Sequence, residues 1–389
     1  MKEKILINQK ELLKVIMDLI AIESTNPCLV EGGKGEKEIS EYIEDYLRNL
    51  GLEVFTLEVK PERKNVIGVL KGKDEGKTLL LNGHMDTVGG EGMDIEPFTP
   101  KFENGKVFGR GSIDMKAGLA GMLIAVDSIL KNNLEIKGNL ILSFVVDEEY
   151  ESIGTEALVK EFKADSAIVC EPTNLKIGIA HKGFSWIKVE IFGKSAHGSK
   201  PEEGVDAIVK AGKFLWEMEN FYRVLTSTKR NELLGSPSIH ASLIKGGKEL
   251  STYPDYCEIK LERRTIPGEI EREIKGEMEE ILKRVTKDDK DFRGKFEIFF
   301  SRPPLIISKE EDIVLTLSKV YREITGKDPE YSGLSFWTDG AILSEHGIPS
   351  VIFGPEGSGL HSSVEYVDFY SLKIFTEILS GTILKYCNE

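Results

Sequence analysis

Residues Leu79–Val88 read LLLNGHMDTV. Three leucines open an apolar strand, yet the element finishes on His84 and Asp86, two residues apart. Side chains alternate along an extended chain, so residues i and i+2 point the same way and can touch one another or share a ligand. A solvated strand end, or a core histidine held by its neighbour, satisfies the same pattern. The surrounding chain has to decide between them.

Working outward from this strand, helical and extended patterns alternate up to about residue 180. Apolar spacing and end signals predict helices near 9–22, 35–50, 114–131 and 152–163, with Gly51 closing the second. Strands are expected at 52–59, 64–70, 77–82, 138–146 and 165–170. Such alternation makes an α/β fold, with a mixed sheet between layers of helices. Between them GGEGMDIEPFTPKFENGKVFGRGS reads as a long functional loop. From about 182 the order becomes strand, helix, strand, strand, helix, strand, the signature of a small ferredoxin-like α+β insert. After SRPP the α/β alternation resumes with a helix at 308–325, a strand at IPSVIF and a closing helix from about 368. The expected division is residues 1–181 with 300–389 in the larger, interrupted domain and 182–299 in the insert.

At 389 residues the chain exceeds the size at which one core stops growing, which also favours two domains. Lys+Arg 51 against Asp+Glu 65 leaves a net charge of −14. That balance argues against nucleic acid or an anionic membrane as partner and suits an acidic cleft that gathers cations. Cys28, Cys170, Cys257 and Cys387 contain no C-x-x-C pair, so neither a disulfide framework nor a zinc finger is indicated. The first two dozen residues mix Lys, Glu and Asp into a helical pattern unlike a signal peptide, and no apolar run reaches membrane-spanning length. A cytoplasmic protein is expected.

Further polar groups cluster at strand ends. The strand closing on Val146 runs into DEEYE, which places Asp147, Glu148 and Glu149 together where repulsion calls for a cation, although a solvated acidic turn reads the same way. Asp114 in GRGSIDMKAG precedes a helical run, where an N-cap is the plain alternative. Glu171 follows the strand ending at Cys170, and His361 sits in the Gly-rich loop after Val351–Phe353. Loops beyond the carboxyl ends of strands are where open α/β sheets place ligands. Two imidazoles with several carboxylates form a donor set for Zn²⁺, Mn²⁺ or Co²⁺, too rich in nitrogen for Mg²⁺ or Ca²⁺. No G-x-S-x-G elbow, phosphate loop, complete G-x-G-x-x-G or H-E-x-x-H is present.

NGHMDTV, GRGSIDMKAG, DEEYESIGT, CEPT, SAHGSKPEEGVDAI, RTIPG and GPEGSGLHSSVEYV, in this order, resemble the blocks of the M20 metallopeptidases, a family that includes acetylornithine deacetylases, succinyl-diaminopimelate desuccinylases, aminoacylases and carboxypeptidases. The resemblance spans essentially the whole chain. It implies a catalytic α/β domain carrying a ferredoxin-like lid that commonly forms a homodimer. It also implies two Zn²⁺ ions, for which Co²⁺ or Mn²⁺ can substitute: His84 and Glu171 on one, Glu149 and His361 on the other, Asp114 bridging, and a cis peptide after Asp114. Asp86 would accept the other ring N–H of His84 and orient it. Glu148 would be the general base that activates a metal-bridging water and then protonates the leaving amine. His197 would reach the developing oxyanion on lid closure, and Arg264 would clamp a substrate carboxylate.

The implied reaction is cleavage of the amide of an N-acyl amino acid, of the deacetylase or desuccinylase type. The alternative is a dipeptidase or carboxypeptidase with the same metal machinery, acting on a short peptide. One departure bears on substrate: where relatives often have asparagine in G-G-x-x-x-N-x-x-P, this chain reads GGKELSTYP, with Ser251 at that place.

Overall fold

The computed structural model describes residues 5–389. They pack as two units, one formed by residues 5–179, 307–332 and 338–389, the other by 180–306 with 333–337.

The first unit is built on a mixed sheet. Its four parallel strands, Leu140–Val145, Leu79–His84, Ser166–Val169 and Ser350–Ile352, lie side by side in that order. Arg63–Leu70 and then Glu53–Lys60 add antiparallel on one side, and the strand that begins at Ile177 pairs antiparallel on the other through Gly178. The two central strands are buried along their whole length, as their unbroken apolar runs require. Helices cover both faces. Gln9–Ala21, Lys37–Asn49, Ala117–Lys131, Asp312–Thr325 and Phe369–Tyr386 bury their apolar stripes in one shared core. Ile153–Glu161 and Gly340–Glu345 pack together on the opposite face. The strand Arg63–Leu70 touches both layers: Gly68 lies under Leu47, while Asn65, of opposite parity, donates from Nδ2 to the Gly154 carbonyl at 2.8 Å. The first helix shows the local logic: the Asn8 carboxamide oxygen caps Lys10 and Glu11 N–H at 3.2 and 3.3 Å, and Leu12, Val15, Ile16, Leu19 and Ile20 form the buried face.

Two expectations change. The segment read as a long loop contains a hairpin, Lys101–Glu103 with Lys106–Phe108. Asn104 and Gly105 turn it with φ of 51° and 76°, the left-handed pair that a two-residue hairpin of this hand needs. Its second strand pairs with Tyr366–Asp368. The helix expected from 114 becomes regular only at Ala117: residues Ser112–Lys116 form an irregular turn, Asp114–Met115 is a cis peptide, and the Asp114 side chain caps nothing.

The second unit is an antiparallel sheet in the order Ser238–Gly246, Tyr256–Thr265, Gly183–Phe192, Arg293–Arg302. Helices Ala207–Thr228 and Glu271–Asp288 pack on one face through Phe214, Met278 and Ile281 against Ile187, Val189 and Ile191. The β-α-β-β-α-β succession with this strand order is the ferredoxin-like arrangement. Among the described residues no helix is long and apolar enough to cross a membrane.

Candidate functional site

Parallel strands end at the same rim, and this brings distant residues together. His84 is the last residue of its strand and stands level with Val145 of the neighbour, so the chain leaving Val145 passes beside it as Asp147, Glu148 and Glu149. On the other side Asn82 is level with Val169, and Glu171 follows two residues later. The strand Ser350–Ile352 leads to the loop of His361, a non-glycine residue at φ 56°. Asp114 enters from the irregular turn ahead of the helix Ala117–Lys131.

The side chains converge. Asp114 Oδ1 is 3.2 Å from His84 Nε2, and its Oδ2 is 3.3 Å from His361 Nε2. Glu171 Oε1 lies 3.3 Å from His84 Nε2, and Glu149 Oε2 lies 3.0 Å from His361 Nε2. Two triads result, His84–Asp114–Glu171 and Asp114–Glu149–His361, and each could hold a metal ion. Glu148 belongs to neither, but its Oε2 stands 3.8 Å from His84 Nε2.

This donor set fits a pair of divalent transition ions. Two imidazole nitrogens and three carboxylates, one offering an oxygen to each side, match Zn²⁺ and its neighbours rather than Mg²⁺ or Ca²⁺. Glu149 Oε1 is buried without a hydrogen-bond partner, an unusual condition for a carboxylate that a cation would relieve. Among protein groups alone the electrostatics are strained in the same sense. Burial pushes Glu171 up to about 7, against the pull of His84, and burial likewise raises Glu148 well above the carboxylate range, with Glu171, Asp339 and Glu149 adding to it. Asp114 and Glu149 raise His361 to about 10. His84 rises well above its ordinary value although burial opposes its charge, because Glu171, Asp114 and Glu148 surround it. Glu148, Glu149 and Glu171 are thus biased toward their protonated forms unless positive charge is supplied, while Asp114, against the effect of burial, is held below its ordinary value by hydrogen bonds from His361 and His84.

Asp86 acts differently from the expectation. His84 Nδ1 reaches the backbone carbonyl of Asp86 at 2.9 Å, while the carboxylate is farther, at 3.6 Å. The carboxylate instead accepts the backbone N–H of Glu148 (3.1 Å) and Glu149 (3.2 Å) and the Asn26 amide (2.8 Å). Two bonds to consecutive amides orient the turn better than one to a ring that the main chain already holds. Behind it lies a buried ionic layer that sequence reasoning missed: Arg63 pairs with Glu36 at 2.5 Å and Asp147 at 2.8 Å, and Asn26 also reaches Asp147 at 3.2 Å. A charged residue opening the apolar strand RKNVIGVL was the available signal.

His197 and Arg264 belong to the second unit. His197 is exposed, with Nδ1 at 2.7 Å from Ser199 Oγ. Arg264 is half-buried, lies over the Phe184 ring, and pairs through Nε with Glu262.

Residues 80–385 match the model of peptidase family M20/M25/M40. The chain is 30% identical, over 98% of its length and 95% of the relative's, to N-formyl-4-amino-5-aminomethyl-2-methylpyrimidine deformylase of Halalkalibacterium halodurans. It is 28% identical, over 84% of its length and 85% of the relative's, to an acetylornithine deacetylase of Myxococcus xanthus. Its fold is similar to that of a tripeptidase from Staphylococcus aureus, with a TM-score of 0.81 and 22% identity over 98% of this chain and 100% of that one. The chain therefore belongs to peptidase family M20/M25/M40, whose members are metal-dependent hydrolases of amide bonds.

Proposed function

We propose that the protein is a two-zinc hydrolase that removes a small acyl group from the nitrogen of an amino acid. His84 and Glu171 hold one ion, Glu149 and His361 the other, and Asp114 serves both; Co²⁺ or Mn²⁺ can replace zinc. One observation carries this reading: Asp114 turns one oxygen to each imidazole, so two triads share a carboxylate. Divalent ions bound there supply Lewis acidity to the amide carbonyl and lower the pKa of the attacking water. Glu148, 3.8 Å from His84 Nε2 but part of neither triad, takes the water's proton and returns it to the leaving nitrogen. Asp86 keeps Glu148 and Glu149 in place through their own amides. We assign His197 to the developing oxyanion and Arg264 to a substrate carboxylate. The ferredoxin-like unit we read as lid and dimerisation domain. Its edge strand Ser238–Gly246 is mostly exposed and carries exposed Leu243 and Ile244, which supports pairing with a second copy. Four free cysteines support a cytoplasmic setting.

A second reading keeps the machinery and changes the amine to a heteroaromatic one with no carboxylate. Ser251 in place of asparagine, the Arg264–Glu262 pair and the deformylase relative favour it. Dipeptide or carboxypeptidase cleavage is the third arm. A panel of N-acetyl and N-succinyl amino acids, a formylated aminomethylpyrimidine and dipeptides, each with Zn²⁺, Mn²⁺ or Co²⁺, separates the three. Full activity after exhaustive chelation would end all of them.

A further inference from the structure

Glu365 lies four residues beyond His361 and is completely buried. Its carboxylate accepts four hydrogen bonds. Oε1 receives the backbone N–H of Ile113 (3.0 Å) and of Asp114 itself (3.2 Å). Oε2 receives the N–H of Gly111 (3.0 Å) and Nη1 of Arg110 (2.7 Å). Arg110 also donates to the Ser362 carbonyl at 3.2 Å, and Gly109 N–H to the Glu365 carbonyl at 3.2 Å. The turn that brings Glu365 inward is tight enough that a Cβ on Gly359, at φ 91°, would fall 1.9 Å from the Val364 carbonyl. One buried acid thus clasps the loop that carries His361 to the loop that carries Asp114.

Resting on the two-ion reading, we infer that Glu365 is a positioning residue for one ion, the one at Asp114, Glu149 and His361. None of that triad's three ligands lies on regular structure, and Glu365 sets the separation of the loops that carry two of them, Asp114 and His361. The triad of His84, Asp114 and Glu171 is anchored differently, with two ligands at the ends of adjacent, fully buried strands. Loss of the clasp therefore weakens the two ions unequally. A glutamine at 365 has one oxygen where the structure uses two, so its NH₂ must face either the Ile113 and Asp114 amides or Gly111 and Arg110, all donors.

The test is zinc titration against a chromophoric chelator, together with the melting temperature of the chelated protein, for wild type, Glu365→Gln and the double variant Arg110→Met with Glu365→Gln. The double variant removes the unpaired buried cation that could unfold the single one. Wild type is expected to bind two ions. The variants are expected to keep one near wild-type affinity and to lose roughly 10–100-fold on the other, the usual effect of removing an outer partner of a metal ligand. Equal weakening of both ions, unchanged affinities with only a lowered melting temperature, or loss of the fold in both variants overturns the inference, since Glu365 then supports the domain and not one ion. A wild type that takes up fewer than two ions sinks the underlying reading instead.

Discussion

Replacing Arg63 by methionine removes the guanidinium that pairs with both acids of the buried layer behind the site and leaves the Glu36 and Asp147 carboxylates facing one another. Both acids are completely buried, and both lie within 2.8 Å of the guanidinium. Taking ~5 Å between them and an effective dielectric of 20, their repulsion is about 3 kcal/mol. Breaking a buried ion pair by removing one partner typically costs about 3–5 kcal/mol, which lowers the melting temperature of a unit this size by about 6–20 °C. The loss must also depend on pH. Burial already holds Glu36 above its ordinary 4.5, with Arg63 opposing that rise. Without Arg63 its folded pKa climbs further above the unfolded one, so the penalty is absent below about pH 4.5 and grows as pH rises from there toward neutrality. Thermal unfolding of chelated wild type and variant, followed by circular dichroism at several pH values from 5 to 8, measures both quantities. A deficit below about 1 kcal/mol, or one equal at pH 5 and pH 8, would show that the layer does not carry the charge balance assigned to it.

Glu148→Gln should keep its full metal content while kcat falls by roughly 10²–10⁴, the range for a lost general base; metal analysis beside steady-state kinetics checks this, and near-normal turnover removes Glu148 from the reaction. Gly118→Ala tests helix placement, because a Cβ there would lie 2.2 Å from the Cys170 carbonyl, next to Glu171. A helix shift costing about 1–3 kcal/mol should appear in thermal unfolding, and zinc should bind less tightly. His197→Ala should lower kcat by roughly 10²–10³ and leave the zinc affinities unchanged, whereas a rise in KM alone would point to substrate binding in place of oxyanion stabilisation.

The site was most legible in the sequence where its residues follow regular strands, whereas Asp114 and His361, on irregular loops, were marked only by their Gly-rich surroundings and the family blocks. LLLNGHMDTV and the strand ending at Val146 are apolar runs that stop abruptly on acids and imidazole, so both the strands and the oddity at their ends could be read. Glu171 follows the same rule. The hairpin Lys101–Phe108 escaped because its first strand has three residues, all exposed, and shows no alternation; only Asn104-Gly105 marked it. Glu365 escaped for a different reason. A lone acid in a polar, Gly-rich loop looks solvated, and only the fold reveals that four donors from a segment about 250 residues earlier surround it. The role of Asp86 was misjudged on the same account: spacing showed that it shares a face with His84, but not that backbone amides of the next strand's exit turn would claim its oxygens first.

The central claim is that Asp114 stands between two metal ions. Anomalous diffraction at the zinc edge from crystals grown with Zn²⁺ tests it directly. The expected result is two peaks, one bounded by His84, Asp114 and Glu171 and the other by Asp114, Glu149 and His361, each within bonding distance of the Asp114 carboxylate. A single peak, or peaks only at places remote from Asp114, contradicts the account.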